Sequence, residues 1–470
     1  MSALIRASPV QADRRWAVLG VIIAAAVLDL LDATITNVAA PTIAADLGGG
    51  AALIQWLGAA YALALGVLLV VGGRLGDRYG RRRLFLLGLT GFTLASVACG
   101  LAVGPGALIG ARLVQGGFGA LMIPQGFGIL GAVFPRDQLG KAFSVFAPAL
   151  GVSSVGGPVV AGFLIEADLF GLGWRAMFLI NIVLGGAALV AAARLLPADA
   201  PGDRDRSGGS AVDTVGAGLL AVTMVGLLYG LIDGSAHGWT LVPILCLAGG
   251  LVFFGLFCVR QRTATNPLIE PSLLRNRGFT AGLVLGTVFF AAVSGLLYVL
   301  VLFMQYGLRF TPVQAALGLA PVAVGIVIAS VACHRLIDRL GRTLITIGLT
   351  IALIGTSWLL AVVSGAVDGA WALVLAALVI GLGMGTCFGT VYDVTMGDID
   401  PREAGSASGS LSAVQQLANA IGAAAVTTVY FRTGDQTEAA TGSLLVVVVA
   451  VIACCGLVRL LPRKARPRRH

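Results

Sequence analysis

Apolar runs of about 20 residues recur along the chain from Trp16 to Leu461, separated by short segments that hold nearly all of the charge. A helix rising ~1.5 Å per residue crosses the hydrocarbon of a bilayer in about that length. Barrel strands are excluded, because they alternate polar and apolar positions over ~10 residues. The pattern predicts fourteen helices, over roughly 16–40, 51–73, 83–103, 106–133, 141–165, 174–196, 213–233, 239–260, 279–303, 312–334, 343–366, 370–392, 404–431 and 441–461, with ends placed to within about two to four residues.

The loops orient these helices. With the N-terminus inside, the cytoplasmic segments hold 27 of the 31 Lys and Arg residues, while the outer loops hold only Arg175, Arg309 and Arg432 and one helix holds Arg112. Cytoplasmic loops carry the excess of Lys and Arg. A miscounted helix in the middle would reverse the sign of every later loop, so the alternation supports fourteen spans with both termini cytoplasmic.

The loop after the second predicted helix, GGRLGDRYGR (Gly72 to Arg81), and that after the tenth, CHRLIDRLGR (Cys333 to Arg342), match at six of ten positions with an offset of 261. The same offset carries helix 1 onto 9, 2 onto 10 and 5 onto 13. The chain therefore reads as two six-helix halves with helices 7 and 8 inserted between them. The expected organisation is an N-terminal bundle over 1–196, a linker with the inserted pair over 197–262, a C-terminal bundle over 263–462 and a basic cytoplasmic tail over 463–470. Parallel repeats with a site between them describe a rocking transporter.

Composition agrees with an all-α integral membrane protein: 58% hydrophobic residues, 11% charged and a mean hydropathy of +0.96. The net charge of +9 lies in short loops and not in a basic domain, so no nucleic-acid partner is expected. The seven cysteines lie in or beside apolar runs without metal-ligand spacing, which predicts neither disulfides nor a metal site. Arg6, Arg14 and Arg15 before an apolar run imitate a signal peptide, but the run is too long and is read as an uncleaved first helix. The three histidines lie apart, and there is no nucleophile with an evident base and no Walker sequence. Neither an enzyme, a cofactor nor ATP-driven pumping is expected.

Against this background the stretch VLDLLDATITN, Val27 to Asn37, is unusual, since it sets Asp29 and Asp32 in an apolar helix. Their i, i+3 spacing points both from one face, and carboxylates in a bilayer mark a cavity, a partner or a proton pathway. Arg112 is the basic residue predicted inside the membrane. By helical rise, Asp32 lies roughly 10–12 Å and Arg112 roughly 8–10 Å from the outer ends of their helices, with Gln115 one turn deeper. Two readings stand for Arg112: a counter-ion joining helices 1 and 4, or a group that tunes the proton affinity of Asp32 by pairing and unpairing.

Taken together, GGRLGDRYGRRRL (Gly72 to Leu84), LDATITNVAAPTI (Leu31 to Ile43), ARLVQGGFGALMIPQG (Ala111 to Gly126) and GGPVVAG (Gly156 to Gly162) resemble the major facilitator superfamily. With fourteen helices, they resemble its drug:proton antiporters of the QacA/EmrB type. The resemblance implies a major facilitator fold in the inner (plasma) membrane, working as a monomer. It also implies efflux of small hydrophobic organic compounds, drugs or antibiotics, in exchange for protons by alternating access. The alternative on the same fold is a proton-coupled importer or a facilitator of a small metabolite.

The resemblance further gives Asp77, among Gly73, Arg78, Gly80 and Arg81, the role of a latch onto a facing helix of the other half; a charge cluster that only fixes topology is the other reading. Gly151, Gly156, Gly157, Pro158 and Gly162 become a pliable antiporter helix, or else ordinary small-residue packing. Asp32 is the first candidate for proton coupling and Asp29 the second, with Arg112 beside them. Asn37, Gln115, Gln125, Gln305, Gln415 and Asn419 are candidates for the substrate cavity.

Overall fold

The computed structural model describes residues 9–461 except 136–137, 199–212, 266, 334–335, 337–339, 368, 397–398, 400–402 and 433–434. Between 139 and 166 it describes Ala142, Val145, Phe146, Ala149, Ser153, Gly156, Gly157, Val160, Phe163 and Leu164. Among the described residues there are helices and no strands. In chain order they are α1 (Pro9–Leu47), α2 (Gly50–Tyr79), α3 (Arg81–Gly100) and α4 (Pro105–Val133). The described residues between 138 and 164 are helical and are called α5. Then come α6 (Arg175–Leu195), α7 (Thr214–His237), α8 (Leu241–Thr263), α9 (Arg277–Leu302), α10 (Ala320–Cys333), α11 (Arg342–Val363), α12 (Ala370–Met396), α13 (Ala404–Tyr430) and α14 (Gln436–Leu457). Among the described residues, eleven helices are long and apolar enough to cross a membrane, all but α5, α10 and α13.

Side chains set several of the ends. Asn276 accepts from the backbone N–H of Gly278 and Phe279 at 2.9 and 3.2 Å to start α9, and Asp435 accepts from Thr437 N at 2.8 Å to start α14. Asp213 caps α7 through Gly216 N at 3.0 Å. Arg260 of α8 reaches the same carboxylate at 3.0 Å and ties α7 and α8 together at that end. Burial works against the charged form of Asp213, but Arg260 and the Gly216 N–H outweigh it and hold the carboxyl below its usual range.

The repeat read from the loops is visible in the backbone. Gly80 starts α3 with φ +102° and Gly341, 261 residues later, starts α11 with φ +49°. Both sit in the left-handed region that only glycine enters at little cost. Helix pairings repeat as well: α2 on α4, α3 on α4, α3 on α6 and α1 on α6 recur as α10 on α12, α11 on α12, α11 on α14 and α9 on α14. One apolar core gathers Leu19, Leu28, Phe85, Phe92 and Leu130, and another Phe290, Met304, Ile345 and Met384.

Between the cores lies α13, packed on α9 and also across α2, α4 and α7. Ser406, Ser408, Ser410 and Ser412 in its first half are buried, so its polarity faces protein and not lipid. The α7–α8 pair packs on α2 and α13 through α7.

Helix α1 runs seven residues past both predicted ends and α2 six past its second, and the structure departs from the predicted spans at three further places. The single helix over 312–334 is divided into Pro312–Gly318 and α10, because Pro321 leaves no N–H to continue the ladder. Helix α9 runs into a π turn, Phe303–Gly307, which carries Gln305 and Tyr306. A short helix, Pro271–Arg275, lies in the connector from α8 to α9.

That connector is fastened on both sides. Arg74 of α2 pairs with Glu270 and donates to the Pro267 carbonyl at 2.9 Å, while Ser272 donates to Glu403, next to α13, at 2.6 Å. Leu268 is buried in the first core and Leu273 beside Phe279, Ile399 and Ala407. Arg74→Glu sets two carboxylates face to face and should cost about 1 kcal/mol, the worth of a partly exposed pair. The exchange Arg74→Glu with Glu270→Arg should recover at least half of the resulting fall in thermal midpoint, measured on the purified protein in detergent.

Candidate functional site

Asp32 on α1 is 3% exposed and Arg112 on α4 is fully buried, and the two form an ion pair. The depth expected from helical rise thus corresponds to contact. Taking each ion out of water costs several kcal/mol, which only close pairing and further hydrogen bonds offset. Both are supplied. Asp32 Oδ1 accepts from Gln115 Nε2 at 2.9 Å and from Asn181 Nδ2 at 2.8 Å. Arg112 donates to Gln115 Oε1 at 2.7 Å and, through Nε, to the Leu57 carbonyl at 3.1 Å. Its Nη2 is buried with no hydrogen-bond partner among the described residues, and the guanidinium carbon lies 4.5 Å from the ring centre of Tyr61 and 5.9 Å from that of Phe178. Aromatic faces attract a cation where no acceptor is present.

Asn181 on α6 also donates to Ser96 Oγ of α3 at 2.9 Å, and that hydroxyl donates to the Phe178 carbonyl at 3.0 Å. Four helices, α1, α3, α4 and α6, therefore close around one carboxylate. The face expected to look into a central cavity is, at Asp32 and among the described residues, met by Arg112, Gln115 and Asn181, which give the carboxylate three donors. Asp29, one turn away on α1, accepts a hydrogen bond from the Tyr61 hydroxyl of α2.

At the junction of α2 and α3 Asp77 pairs with Arg81 at 2.9 Å, and its other oxygen accepts from the backbone N–H of Ser406 at 3.2 Å. Ser406 lies in the first turn of α13, where helix N–H groups lack intrahelical partners and the dipole favours an anion. Arg81 also donates to the Gly128 carbonyl of α4 at 2.7 Å, and Arg78 lies over the ring of Tyr79. Gly73 is buried. Ser408 donates to the Pro124 carbonyl at 3.4 Å, adding a contact from α13 to α4.

The remaining candidates scatter. Gln125 is buried and donates to the Gly72 carbonyl at 2.8 Å, joining α4 to α2. Helices α2 and α4 approach closely there: a Cβ on Gly72 would strike the Ala120 carbonyl. Gln415 accepts from Tyr392 at 2.8 Å, and the Tyr392 ring stacks on Phe127 of α4 with centroids 6.0 Å apart. Phe146, Phe290 and Phe388 adjoin this stack, so aromatic faces gather where α4 and α5 meet α9 and α12. The Asn419 carbonyl accepts from Ser294 at 3.0 Å; Gln305 is half-buried in the π turn, far along the chain from the acids. Gly157 faces Thr34 of α1, where a Cβ would collide, and Gly156 is helical with open space beside it. Gly151, Pro158, Gly162 and the Asn37 side chain lie outside the described residues.

Three contributors escaped the sequence reading. Asn181 left a signal, a lone amide six residues into an apolar helix and so ~9 Å deep, level with Arg112. Ser96 and Tyr61 left none, since such residues are common in membrane helices.

A family model described as Major Facilitator Superfamily matches residues 22–423. The chain is 45% identical over 432 residues to a "Probable actinorhodin transporter" of Streptomyces coelicolor, covering 90% of this chain and 74% of that protein. It is 32% identical over 416 residues to the "Tetracenomycin C resistance and export protein" of Streptomyces glaucescens, covering 87% and 75%. A "Puromycin resistance protein" of Streptomyces alboniger is 31% identical over 422 residues, covering 88% and 82%. Among solved structures, the human organic anion transporter MFSD10 superposes with a TM-score of 0.68 at 16% identity, covering 94% of this chain and 99% of that one. The proton:xylose symporter XylE superposes with 0.66 at 15% identity, covering 94% and 95%. Both share the fold.

Proposed function

The chain belongs to the Major Facilitator Superfamily, a multi-pass membrane transporter and not an enzyme, and from that premise we propose that it exports an antibiotic in exchange for protons. The observation that carries this reading is the buried carboxylate of Asp32, held by Arg112, Gln115 and Asn181 inside the membrane-crossing helices. Such a charge is costly unless it is used. The names of the relatives, actinorhodin transporter, tetracenomycin C export protein and puromycin resistance protein, supply the substrate class. The aromatic faces around Tyr392 and Phe127 suit a hydrophobic compound.

In this reading Asp32 binds the exchanged proton and Arg112 holds it charged between turnovers. Asp29 is the second acid. Asp77, seated on the start of α13, latches the cytoplasmic side shut. Gly156 and Gly157 let α5 slide against α1. The eleven apolar helices, with α5, α10 and α13, make fourteen spans in two six-helix bundles with α7 and α8 inserted, both termini cytoplasmic, in a monomer.

Everted membrane vesicles acidified inside test this. Actinorhodin, tetracenomycin C and puromycin, taken from the names of the relatives, are added one at a time. At least one should release luminal protons and accumulate inside, only when the protein is present. Failure of all three removes the antibiotic reading, and movement of a compound along with the protons makes the protein an importer.

A further inference from the structure

We propose that Tyr61 is a positioning residue that couples Asp29 to the Arg112–Asp32 pair, so that the charge on either acid is felt at the other through one aromatic side chain. Its use in transport rests on the proton exchange proposed above; its test does not.

Two contacts converge on this ring. The hydroxyl donates to Asp29 Oδ1, and the face lies under the guanidinium of Arg112, 4.5 Å from ring centre to carbon. That guanidinium is the partner of Asp32 and has, among the described residues, one nitrogen without an acceptor. The ring is 4% exposed and stands edge-on to Phe92 with centroids 6.4 Å apart. On its other side α4 comes in through glycines. A Cβ on Gly119 would lie 3.0 Å from the Tyr61 hydroxyl and 3.4 Å from Asp29 Oδ1, and one on Gly116 would strike the Tyr61 carbonyl.

A tyrosine so confined has little freedom to hold one partner while releasing the other. When Asp29 takes a proton, the hydroxyl loses the anion that orients it, and the ring that supports Arg112 is freed to shift. Arg112 then settles differently on Asp32. The charged and titratable groups around the ring are Asp29 and Asp32 from α1, Arg112 from α4 and, through Gln115, the Cys99 thiol of α3. Asn181 of α6 does not titrate.

The variants Tyr61→Phe and Tyr61→Leu separate the two contacts. Phenylalanine keeps the face under Arg112 and removes the hydroxyl, in the same volume; leucine removes both. Each purified protein is followed by pH-difference infrared spectroscopy of the carboxyl stretch over about pH 4 to 9, with bands assigned by Asp29→Asn and Asp32→Asn. Tyr61→Phe should shift the titration midpoint of Asp29 by about half a pH unit or more. Asp29→Asn should move the carboxylate stretch of Asp32 in the parent and leave it in place in Tyr61→Phe and Tyr61→Leu, where no side chain joins the two acids.

An Asp29 midpoint unchanged by phenylalanine, an Asp32 stretch that Asp29→Asn leaves in place in the parent or still moves in both Tyr61 variants, or no titration of Asp29 in that range overturns the coupling. No substrate is needed, so a protein that exchanges no compound with protons sinks the transport reading and leaves this result standing.

Discussion

Asp32→Asn is expected to abolish substrate-driven proton release in everted vesicles and to destabilise the protein by about 3 kcal/mol, the cost of leaving one member of a buried pair without its partner. The two halves of the pair are not equivalent. An acid left alone in a bilayer can give up its charge by binding a proton, whereas a guanidinium cannot. Arg112 would keep the Leu57 carbonyl, the Gln115 side chain and the Tyr61 face, enough for a folded but weakened protein. Arg112→Met should therefore cost less than Asp32→Asn. The double variant should regain most of the lost stability, read as a thermal midpoint in detergent, while proton release stays absent. Full proton release by Asp32→Asn removes Asp32 from the coupling role. A double variant no more stable than the single one means that the ion pair is not what limits stability here.

A second large effect is expected at Asp77. Its carboxylate joins Arg81 to the first turn of α13, so one side chain spans two parts of the molecule that the proposed alternating access would separate. Loss of a capping carboxylate costs about 1 kcal/mol, and its interaction with a helix N-terminus adds up to a similar amount. Asp77→Asn keeps an acceptor and loses the charge; Asp77→Ala loses both. The balance between cytoplasm-closed and cytoplasm-open forms should move about tenfold for asparagine and further for alanine, since ~1.4 kcal/mol is a factor of ten.

A cysteine introduced at Ser408, buried one turn along α13, reports the change. Maleimide applied from the cytoplasmic face should label it about tenfold faster in the Asp77→Asn background than in the parent, with compound efflux reduced in proportion. Equal labelling rates would show that the contact with Ser406 does not govern access.

The features legible in the sequence are those set by short-range chemistry or by regular spacing. Apolar runs gave most of the helices, and the repeated loop put Gly80 and Gly341 at matching places, where both take a positive φ. Helical rise put Asp32 and Arg112 level, which suffices for a contact between helices that run side by side. Choosing partners across the seam needs the docking of elements hundreds of residues apart, and no local pattern in α13 marks Ser406 as the group opposite Asp77. Gln125 illustrates the converse: a membrane glutamine reads as a cavity residue, yet its amide serves a carbonyl on the neighbouring helix. The π turn after α9 and the short helix in the α8–α9 connector also follow from tertiary packing rather than propensity. Asn181 is different, because its depth was computable from its place in α6.

Helix α8 is the least enclosed of the apolar helices, with 17% of its span buried, and it is held chiefly by α7 and by the Arg260–Asp213 bridge at one end. Most of its solvent is therefore acyl chain. A bilayer thinner or thicker than its apolar length is accommodated by tilt at a modest cost per ångström, a cost that falls first on a helix so little enclosed. Its partner α7 touches both α2 and α13, so the pair meets the seam between the two cores through α7.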